Sequence, residues 1–383
     1  MKLKIHTILG TRPEIIRLSR IIARLDRYCD HKIVHTGQNP DPALGEVFFR
    51  DLDLRQPDHF LGAGGGTLGE MLARILTGTE RILTADRPDA VLVLGDTNSA
   101  LSAMIARRMK IPVYHMEAGN RSFDRNVPEE TNRKVVDHIA DFNLVYSEHA
   151  RRHLLSEGIH HRRIYLTGSP MGEVLSHYRG GIDASDVIER LGLSAGKYFV
   201  ASLHREENVD NSARLSGLVE ALNALALRHD MPVIVSTHPR TRKRLDAMEA
   251  GSSDNRIRWM PPFGFHDYNK LQKDAFCVIS DSGTIAEESA ILGFPAVTPR
   301  DAIERPESLD AGNIILSTPD PEGILEGATA ATRMFAEYQG NATARPAPTE
   351  YCITNTSERV VSLIIGTARL SNGWDGIRGN DLG

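Results

Sequence analysis

The sequence predicts an α/β protein with two doubly wound domains, each built on a parallel sheet. Three observations support this prediction. Short apolar runs alternate with longer amphipathic stretches along most of the chain, which is typical of strands joined by crossover helices. Proline and glycine gather in a linker-like stretch, Ser169–Asp183, where the alternation is interrupted. A length of 383 residues also favours two domains over a single core.

The first predicted domain covers residues 1–170. Lys4–Leu9 predicts its first strand, and Glu14–Leu25 predicts its first helix because apolar residues recur there at helical spacing. The elements that follow are predicted at His31–His35, Leu68–Thr84, Ala90–Leu94, Ser99–Arg108, Pro112–Met116, Glu130–Ile139, Asn143–Tyr146, His149–Glu157 and Ile164–Thr167.

The same alternation predicts a second domain over residues 171–355. A helix within residues 356–370 is expected to return to the first domain, and residues 371–383 are expected to form a flexible tail. Both domains are then Rossmann-like, and we expect them to face each other across a cleft. The elements of the second domain are predicted at Tyr198–Leu203, Leu215–Arg228, Pro232–Ser236, Ile257–Met260, Phe276–Ser280, Ala286–Leu292, Pro295–Val297 and Asn313–Leu316.

The composition excludes several classes of protein. A net charge of −5 argues against a nucleic-acid partner. Three cysteines far apart in the chain argue against a disulfide framework and against a cysteine metal site. No apolar run is long enough to cross a bilayer, and the N-terminus lacks a signal-peptide pattern. We therefore expect a cytoplasmic protein that does not act at a membrane.

Three carboxylates follow predicted strands of the first domain. Asp96 ends the strand Ala90–Leu94, Glu117 lies at the end of the next strand, and Glu129 lies in a turn shortly after it. Acids that gather at strand ends suggest proton transfer. His115 and Glu117 share a face of a strand, but spacing identifies no third ligand, so neither a metal nor another cofactor is predicted.

Two turns have the character of anion sites. Asp281–Thr284 joins a strand to a helix, so that this turn presents backbone N–H groups to a diphosphate. Glu287 and Glu288 lie about one helical turn further on, where a carboxylate can accept from ribose hydroxyls. Gly10–Glu14 likewise opens a helix and projects Arg12, with Arg17 adding charge further along that helix. Each turn is equally compatible with an ordinary capped helix that carries solvated charges.

Two further positions are ambiguous. His204 follows the strand Tyr198–Leu203, where an imidazole can bind phosphate or transfer a proton, although a single histidine is more often structural. Phe263 and Phe265 follow another strand, where an aromatic ring can back a flat base or simply pack in the core.

Seven short motifs together resemble the non-hydrolysing UDP-N-acetylglucosamine 2-epimerase family. The resemblance spans nearly the whole chain, and the set in this order is specific although each motif alone is weak. The motifs are Gly10–Glu14, Gly95–Thr97, His115–Gly119, Pro128–Glu130, His204–Asn208, Ser280–Gly283 and Glu304–Glu307.

The resemblance implies a glycosyltransferase-B-like fold and inversion of a UDP-sugar at C2 through loss and re-addition of UDP. It implies that Asp96, Glu117 and Glu129 are acid/base groups, with His204 as a further catalytic residue. It implies a homodimer and no cofactor. The residues implied to bind UDP are Arg12, Arg17, His204, Phe263, Ser282, Gly283 and Glu288, with Phe265 as the alternative near uracil.

The chain departs from the family pattern at Gln38–Asp41, which puts an allosteric second UDP-sugar site in doubt. The segment Gly119–Pro128, together with Leu94–Ser99 and Thr167–Met171, is closer to the branch that acts on UDP-2-acetamido-2,6-dideoxy-L-talose and forms UDP-N-acetyl-L-fucosamine for bacterial surface polysaccharide. Other relatives act on UDP-N-acetylglucosamine or on a UDP-diacetamido-glucuronic acid. The alternatives are a glycosyltransferase of the same architecture, a hydrolysing 2-epimerase and a nucleotide-sugar sensor without activity.

Overall fold

The computed structural model describes residues 2–38, 46–248, 254–339 and 345–377. The chain forms two compact units, one from Met1–Ser176 with Ile353–Gly383 and the other from His177–Cys352. Each unit is a parallel sheet with helices. The prediction of two doubly wound α/β domains is confirmed.

The first unit contains a seven-stranded sheet in the order β3-β2-β1-β4-β5-β6-β7, and all of its neighbouring strands are parallel. The strand order reverses between β1 and β4, so the segments that follow these two strands turn away to opposite sides. The strands are β1 (Lys4–Leu9), β2 (Asp30–His35), β3 (His59–Phe60), β4 (Ala90–Leu94), β5 (Val113–Ala118), β6 (Phe142–Val145) and β7 (Ile164–Leu166).

The second unit contains a six-stranded parallel sheet in the order β10-β9-β8-β11-β12-β13. Here the order reverses between β8 and β11, which makes the ends of these two strands the natural ligand position in this sheet. The strands are β8 (Phe199–Ser202), β9 (Val233–Ser236), β10 (Ile257–Met260), β11 (Cys277–Ser280), β12 (Ala296–Pro299) and β13 (Ile315–Ser317).

Helices connect the strands in both units. In chain order they are α1 (Arg12–Tyr28), α2 (Glu46–Asp51), α3 (Leu68–Ala85), α4 (Ala103–Arg108), α5 (Pro128–Ile139), α6 (Glu148–Ser156), α7 (Met171–His177), α8 (Arg179–Asp183), α9 (Val187–Arg190), α10 (Glu206–Val209), α11 (Ser212–His229), α12 (Pro239–Ala247), α13 (Phe265–Lys273), α14 (Ile285–Leu292), α15 (Pro306–Asp310), α16 (Pro321–Gln339), α17 (Thr356–Thr367) and α18 (Ser371–Trp374). Within the described ranges, none of the helices combines the length and the apolar character needed to span a membrane.

The central strands of each sheet are buried on both faces, which explains why they read as continuous apolar runs. In β8, Phe199 and Ala201 belong to a core shared with residues of α11 and α16. Val200 points to the other face, into a core shared with residues of α13 and α14. The sheet is therefore held rigidly between two layers of helices, and its strand ends are fixed platforms for the segments that follow.

Two predictions about segments between and after the domains need comment. The stretch Ser169–Asp183 is largely helical (α7 and α8) and is not an irregular loop, and the boundary between the two units, after Ser176, lies within it. At Gly181, within α8, a Cβ would lie 2.7 Å from Nε2 of His266, so any larger residue there requires the His266 ring to move. The predicted flexible tail begins with α18, whose Trp374 ring packs edge-on against Phe142, while residues 378–383 lie outside the described residues.

Candidate active site

Glu117 occupies an unusual backbone position at the end of β5. Its φ is +63°, and the pairing with β6 shifts register between Met116 and Ala118, which is a β-bulge. The carboxylate forms an ion pair with Arg17, a buried side chain from α1, and accepts a hydrogen bond from Asn120 Nδ2 at 3.4 Å. A non-glycine residue with positive φ is strained, and such strain concentrates at functional sites.

Asp96 follows β4, the strand next to β5, with only Gly95 between. Its Oδ2 is 2.6 Å from Nη2 of Arg133, and its backbone carbonyl accepts a hydrogen bond from Asn132 Nδ2 at 2.9 Å. Arg133 is buried, whereas the Asp96 side chain is 25% exposed. Two carboxylates at adjacent strand ends are thus each paired with a buried arginine from a different helix.

The first turn of α5 carries two neighbouring glutamates with different surroundings. Glu130 is buried and accepts hydrogen bonds from the Ser122 N–H, the Ser122 hydroxyl and Arg133 Nη1, all at 3.0 Å. Glu129 is only half-buried. Glu129 is therefore the member of the pair with solvent access, while Glu130 fixes the loop that precedes α5.

Glu14 is a further carboxylate at this sheet edge that the sequence did not identify as a site residue. It is 1% exposed and lies where β1 and β4 diverge. One oxygen accepts hydrogen bonds from the Gly10 N–H at 3.0 Å and the Thr11 hydroxyl at 2.7 Å, and the other accepts from the Thr97 hydroxyl at 3.0 Å. Glu14 therefore joins the segment before Arg12 to the segment after Asp96.

Glu14 makes the stability of the protein depend on pH. Burial raises its pKa from 4.5 to about 7, although the three donors favour the carboxylate. The folded state therefore keeps a proton that the unfolded state has lost, and stability falls as the pH rises from 4.5 to 7, by up to about 1.4 kcal/mol per pH unit. Glu14→Gln removes this titration, so urea denaturation should show the variant gaining stability relative to wild type over that range.

The matched control for this prediction is Glu157→Gln. The pKa of Glu157 is lowered to about 2, chiefly by its hydrogen bond from Arg121, so this residue stays ionised over the whole interval. The difference between this control and wild type should be constant above about pH 5.5, where the carboxyl is ionised in the unfolded state as well. Parallel stability curves for wild type and Glu14→Gln would contradict the prediction.

Arg12, predicted to bind phosphate, is the first residue of α1. It is half-buried, and its guanidinium lies 5.6 Å from the centre of the Phe48 ring. The flat ring limits the directions in which the guanidinium can point.

The prediction about an allosteric site concerns Gln38–Asp41, of which residues 39–41 lie outside the described residues. Gln38 itself accepts hydrogen bonds from the N–H and the hydroxyl of Ser99 at 3.0 and 2.7 Å.

In the second unit, Asp281 joins the segments that follow β8 and β11. This carboxylate is fully buried and accepts hydrogen bonds from the backbone N–H groups of His204 and Arg205 at 3.0 and 3.1 Å, and from Asn208 Nδ2 at 3.1 Å. His204 Nδ1 also lies 3.3 Å from it, and the His204 ring is 29% exposed. The buried carboxylate therefore orients a histidine that keeps solvent access.

The turn before α14 has the geometry of an anion site. The Ser282 hydroxyl lies 3.0 Å from the Thr284 hydroxyl, and the Gly283 carbonyl accepts a hydrogen bond from Arg305 Nε at 2.9 Å. A Cβ on Gly283 would come within 3.4 Å of Arg205 Nη2. Two guanidinium groups and the N-terminal end of α14 thus surround this turn, which favours a negatively charged ligand.

The remaining predicted nucleotide contacts differ in exposure. Glu288 is 7% exposed, and one of its oxygens accepts a hydrogen bond from Gln272 Nε2 at 2.8 Å. Phe265 is buried with its ring edge-on to Tyr178, so it is a core residue. Phe263 is only partly buried against the core. Phe263 is therefore the aromatic side chain of the two that remains accessible to a base.

The structure thus groups the predicted site residues by unit. Arg12, Arg17, Asp96, Glu117 and Glu129 belong to the first unit, and His204, Phe263, Ser282, Gly283 and Glu288 belong to the second. Within the described part of the chain, no group of three or more His, Cys, Asp or Glu side chains is arranged to hold a metal ion. The sequence analysis did not assign a role in the site to Glu14, Arg133, Arg205, Asp281 or Arg305. Four of them, all except Arg133, lie inside the motifs named there, and this was the sequence signal that could have identified them.

Comparison with known proteins identifies the family. The family model described as UDP-N-acetylglucosamine 2-epimerase matches residues 23–365. A UDP-N-acetylglucosamine 2-epimerase of Methanocaldococcus jannaschii is 38% identical over 332 residues, which cover 85% of this chain and 91% of the relative.

Two solved structures agree with this result. The UDP-N-acetylglucosamine 2-epimerase from Rickettsia bellii has a TM-score of 0.90 and 39% identity, covering 99% of this chain and 100% of that one. The UDP-GlcNAc 2-epimerase of Methanocaldococcus jannaschii in complex with UDP-GlcNAc and UDP has a TM-score of 0.86 and 35% identity, covering 94% and 99%. The chain therefore belongs to the UDP-N-acetylglucosamine 2-epimerase family and is an isomerase of this type.

Proposed function

We propose that this enzyme is a non-hydrolysing epimerase that inverts C2 of a UDP-2-acetamido sugar for bacterial surface polysaccharide synthesis. The observation that supports this most directly is the group of acids in the first unit. Asp96 and Glu117 end adjacent strands, each beside a buried arginine, and Glu129 opens the helix that supplies one of these arginines. All three carboxylates stay partly exposed, so a purely structural role as buried charges does not explain why they gather at this sheet edge.

The reaction needs acids on both faces of the sugar ring. A carboxylate takes the C2 proton, the C2–H electron pair forms the C1=C2 double bond, and the C1–O electron pair leaves with UDP. The product is a 2-acetamidoglycal. In the return step the UDP oxygen forms a bond to C1, and a carboxylic acid delivers a proton to C2 from the other face. No water is consumed, and no net oxidation occurs.

The departing UDP needs stabilisation because negative charge develops on its diphosphate. We assign this role to Arg12, Arg17, His204 and the backbone N–H groups of Ser282 and Gly283. We assign Glu288 to the ribose and Phe263 to the uracil. The partly exposed ring of His204, held by buried Asp281, is suited to donate to a phosphate oxygen or to exchange a proton.

Heavy water provides the test of this mechanism. Incubation with a UDP-2-acetamido sugar should place deuterium at C2 in both epimers, with UDP remaining attached at equilibrium. Release of UDP with free 2-acetamido sugar would instead identify a hydrolysing epimerase. An absence of C2 exchange, with sugar transfer to an added acceptor, would identify a glycosyltransferase.

A substrate panel followed by NMR then identifies the sugar. The candidates are UDP-N-acetylglucosamine with its manno epimer, and UDP-2-acetamido-2,6-dideoxy-L-talose with UDP-N-acetyl-L-fucosamine. The segments Gly119–Pro128, Leu94–Ser99 and Thr167–Met171 together favour the 6-deoxy pair. Faster C2 exchange with UDP-N-acetylglucosamine than with the 6-deoxy sugar would reverse this assignment.

A further inference from the structure

A buried group of charged side chains lies directly behind the Glu117 bulge. Asp137, on α5, is 1% exposed, and its Oδ2 accepts a hydrogen bond from Arg121 Nη1 at 2.7 Å. Arg121 is also paired with Glu157, with hydrogen bonds of 2.8 and 2.7 Å from its Nε and Nη2. None of these side chains is needed to bind or transform the substrate in the mechanism above.

Asp137 contacts the segments that carry two of the acids. Both of its oxygens accept from the Gly119 N–H at 3.2 Å, two residues after Glu117. Its Oδ1 lies 2.9 Å from Nδ1 of His115, and Nε2 of the same ring contacts the Gly95 carbonyl at 2.8 Å, one residue before Asp96.

The third acid is connected through the helix itself. Glu129 is in the first turn of α5, and Asp137 is in the last part of the same twelve-residue helix. A rotation or shift of α5 would therefore move Glu129 together with the anchor of the other two segments. One buried carboxylate is thus tied to the backbone beside Glu117, to the backbone beside Asp96, and to the helix that carries Glu129.

We propose that Asp137 is a positioning residue that sets the mutual placement of the three acid/base carboxylates. This inference rests on the proposed function of those carboxylates. Proton transfer at one carbon from two faces requires donors and acceptors in fixed positions, and a misplacement of about 1 Å can reduce the rate by on the order of 10²-fold. Asp137 supplies that fixation without touching the substrate.

Asp141 provides a comparison that separates positioning from stability. It is also 1% exposed, accepts a hydrogen bond from the Val113 N–H at 2.9 Å, and is paired with Arg107 and Arg163. It therefore holds β5 as Asp137 does, but at the amino end of the strand. None of the three acids follows that end.

The experiment compares Asp137→Asn with Asp141→Asn in the full-length protein. Asp137→Asn should fold, because Arg121 keeps its pair with Glu157. We expect kcat and the rate of C2 deuterium exchange to fall on the order of 10²-fold, while the Kd for UDP, measured by calorimetry, stays close to that of wild type. Asp141→Asn should lower the Tm and leave kcat of the folded enzyme close to wild type.

A second variant, His115→Gln, removes the imidazole from the Gly95 carbonyl and from Asp137 while Arg121 stays paired. It should lower kcat with little change in the Kd for UDP. If a folded Asp137→Asn or His115→Gln variant keeps the wild-type kcat, the positioning role is overturned and the proposed function is left intact. Equal losses of kcat in Asp137→Asn and Asp141→Asn would also overturn it. An absence of C2 exchange in wild type would overturn the proposed function and the inference together.

Discussion

Glu117→Gln should lower the rate of C2 deuterium exchange by about 10²–10⁴-fold, the range expected when a general acid/base group is removed. Glutamine has nearly the same shape, and its one side-chain oxygen can keep the contact with Arg17. Only the long hydrogen bond from Asn120 to the other oxygen is lost, so the bulge should persist. It cannot take a proton from C2. Exchange is measured by NMR in heavy water, and UDP binding by calorimetry should change little.

Glu173→Gln is the matched control in the same unit. Glu173 is also half-buried and accepts hydrogen bonds from the N–H and the hydroxyl of Ser357, at 2.7 and 2.5 Å. This variant undergoes the same chemical change but should keep the wild-type exchange rate. If Glu117→Gln exchanges deuterium as fast as Glu173→Gln does, Glu117 is not an acid/base group of this reaction.

Asp281→Ala should have the largest effect on the stability of the second unit. The substitution leaves three buried or half-buried N–H donors without their acceptor, from His204, Arg205 and Asn208. The expected loss is on the order of 3–5 kcal/mol in the free energy of unfolding, measured by urea denaturation. The Kd for UDP should rise on the order of 10-fold or more because His204 and the turn at Ser282 are no longer held together.

Asp320→Ala is the control for this prediction, because it removes another aspartate that accepts a backbone hydrogen bond in the same unit. Asp320 is exposed and accepts a hydrogen bond from the Gly323 N–H at 2.9 Å at the start of α16. Its loss should cost about 1 kcal/mol, typical of a helix cap, and should leave the Kd for UDP unchanged. An Asp281 variant that is as stable as this control and binds UDP normally would contradict the role assigned to Asp281.

The parts of the fold that sequence predicted best are the buried central strands. Lys4–Leu9 and Ala90–Leu94 were predicted with the bounds that the structure has, because continuous apolar runs between helical patterns carry a strong signal. The two-residue strand β3 is too short to have a period. The helix Pro321–Gln339 was missed because two of its core positions, Ala328 and Ala331, are small and contrast weakly with polar neighbours.

The site was less predictable because its supporting contacts join distant parts of the chain. Position after a strand is a local property, so the placement of Asp96 and Glu117 at strand ends could be predicted from sequence. The choice between Glu129 and Glu130 depends on how α5 is rotated, which the sequence pattern leaves open. The role of Asp281 depends on backbone N–H groups more than seventy residues earlier, and no local spacing encodes such a contact.

The first unit is assembled from two pieces of chain, Met1–Ser176 and Ile353–Gly383, with the whole second unit between them. Helix α17 packs on α1, and Arg24 of α1 donates a hydrogen bond to the Ser357 hydroxyl at 3.0 Å. During synthesis, α1 therefore leaves the ribosome roughly 15–70 s before the helix that covers it, at usual rates of chain elongation. The second unit is continuous, so it completes its own fold in the nascent chain before the earlier-made unit does.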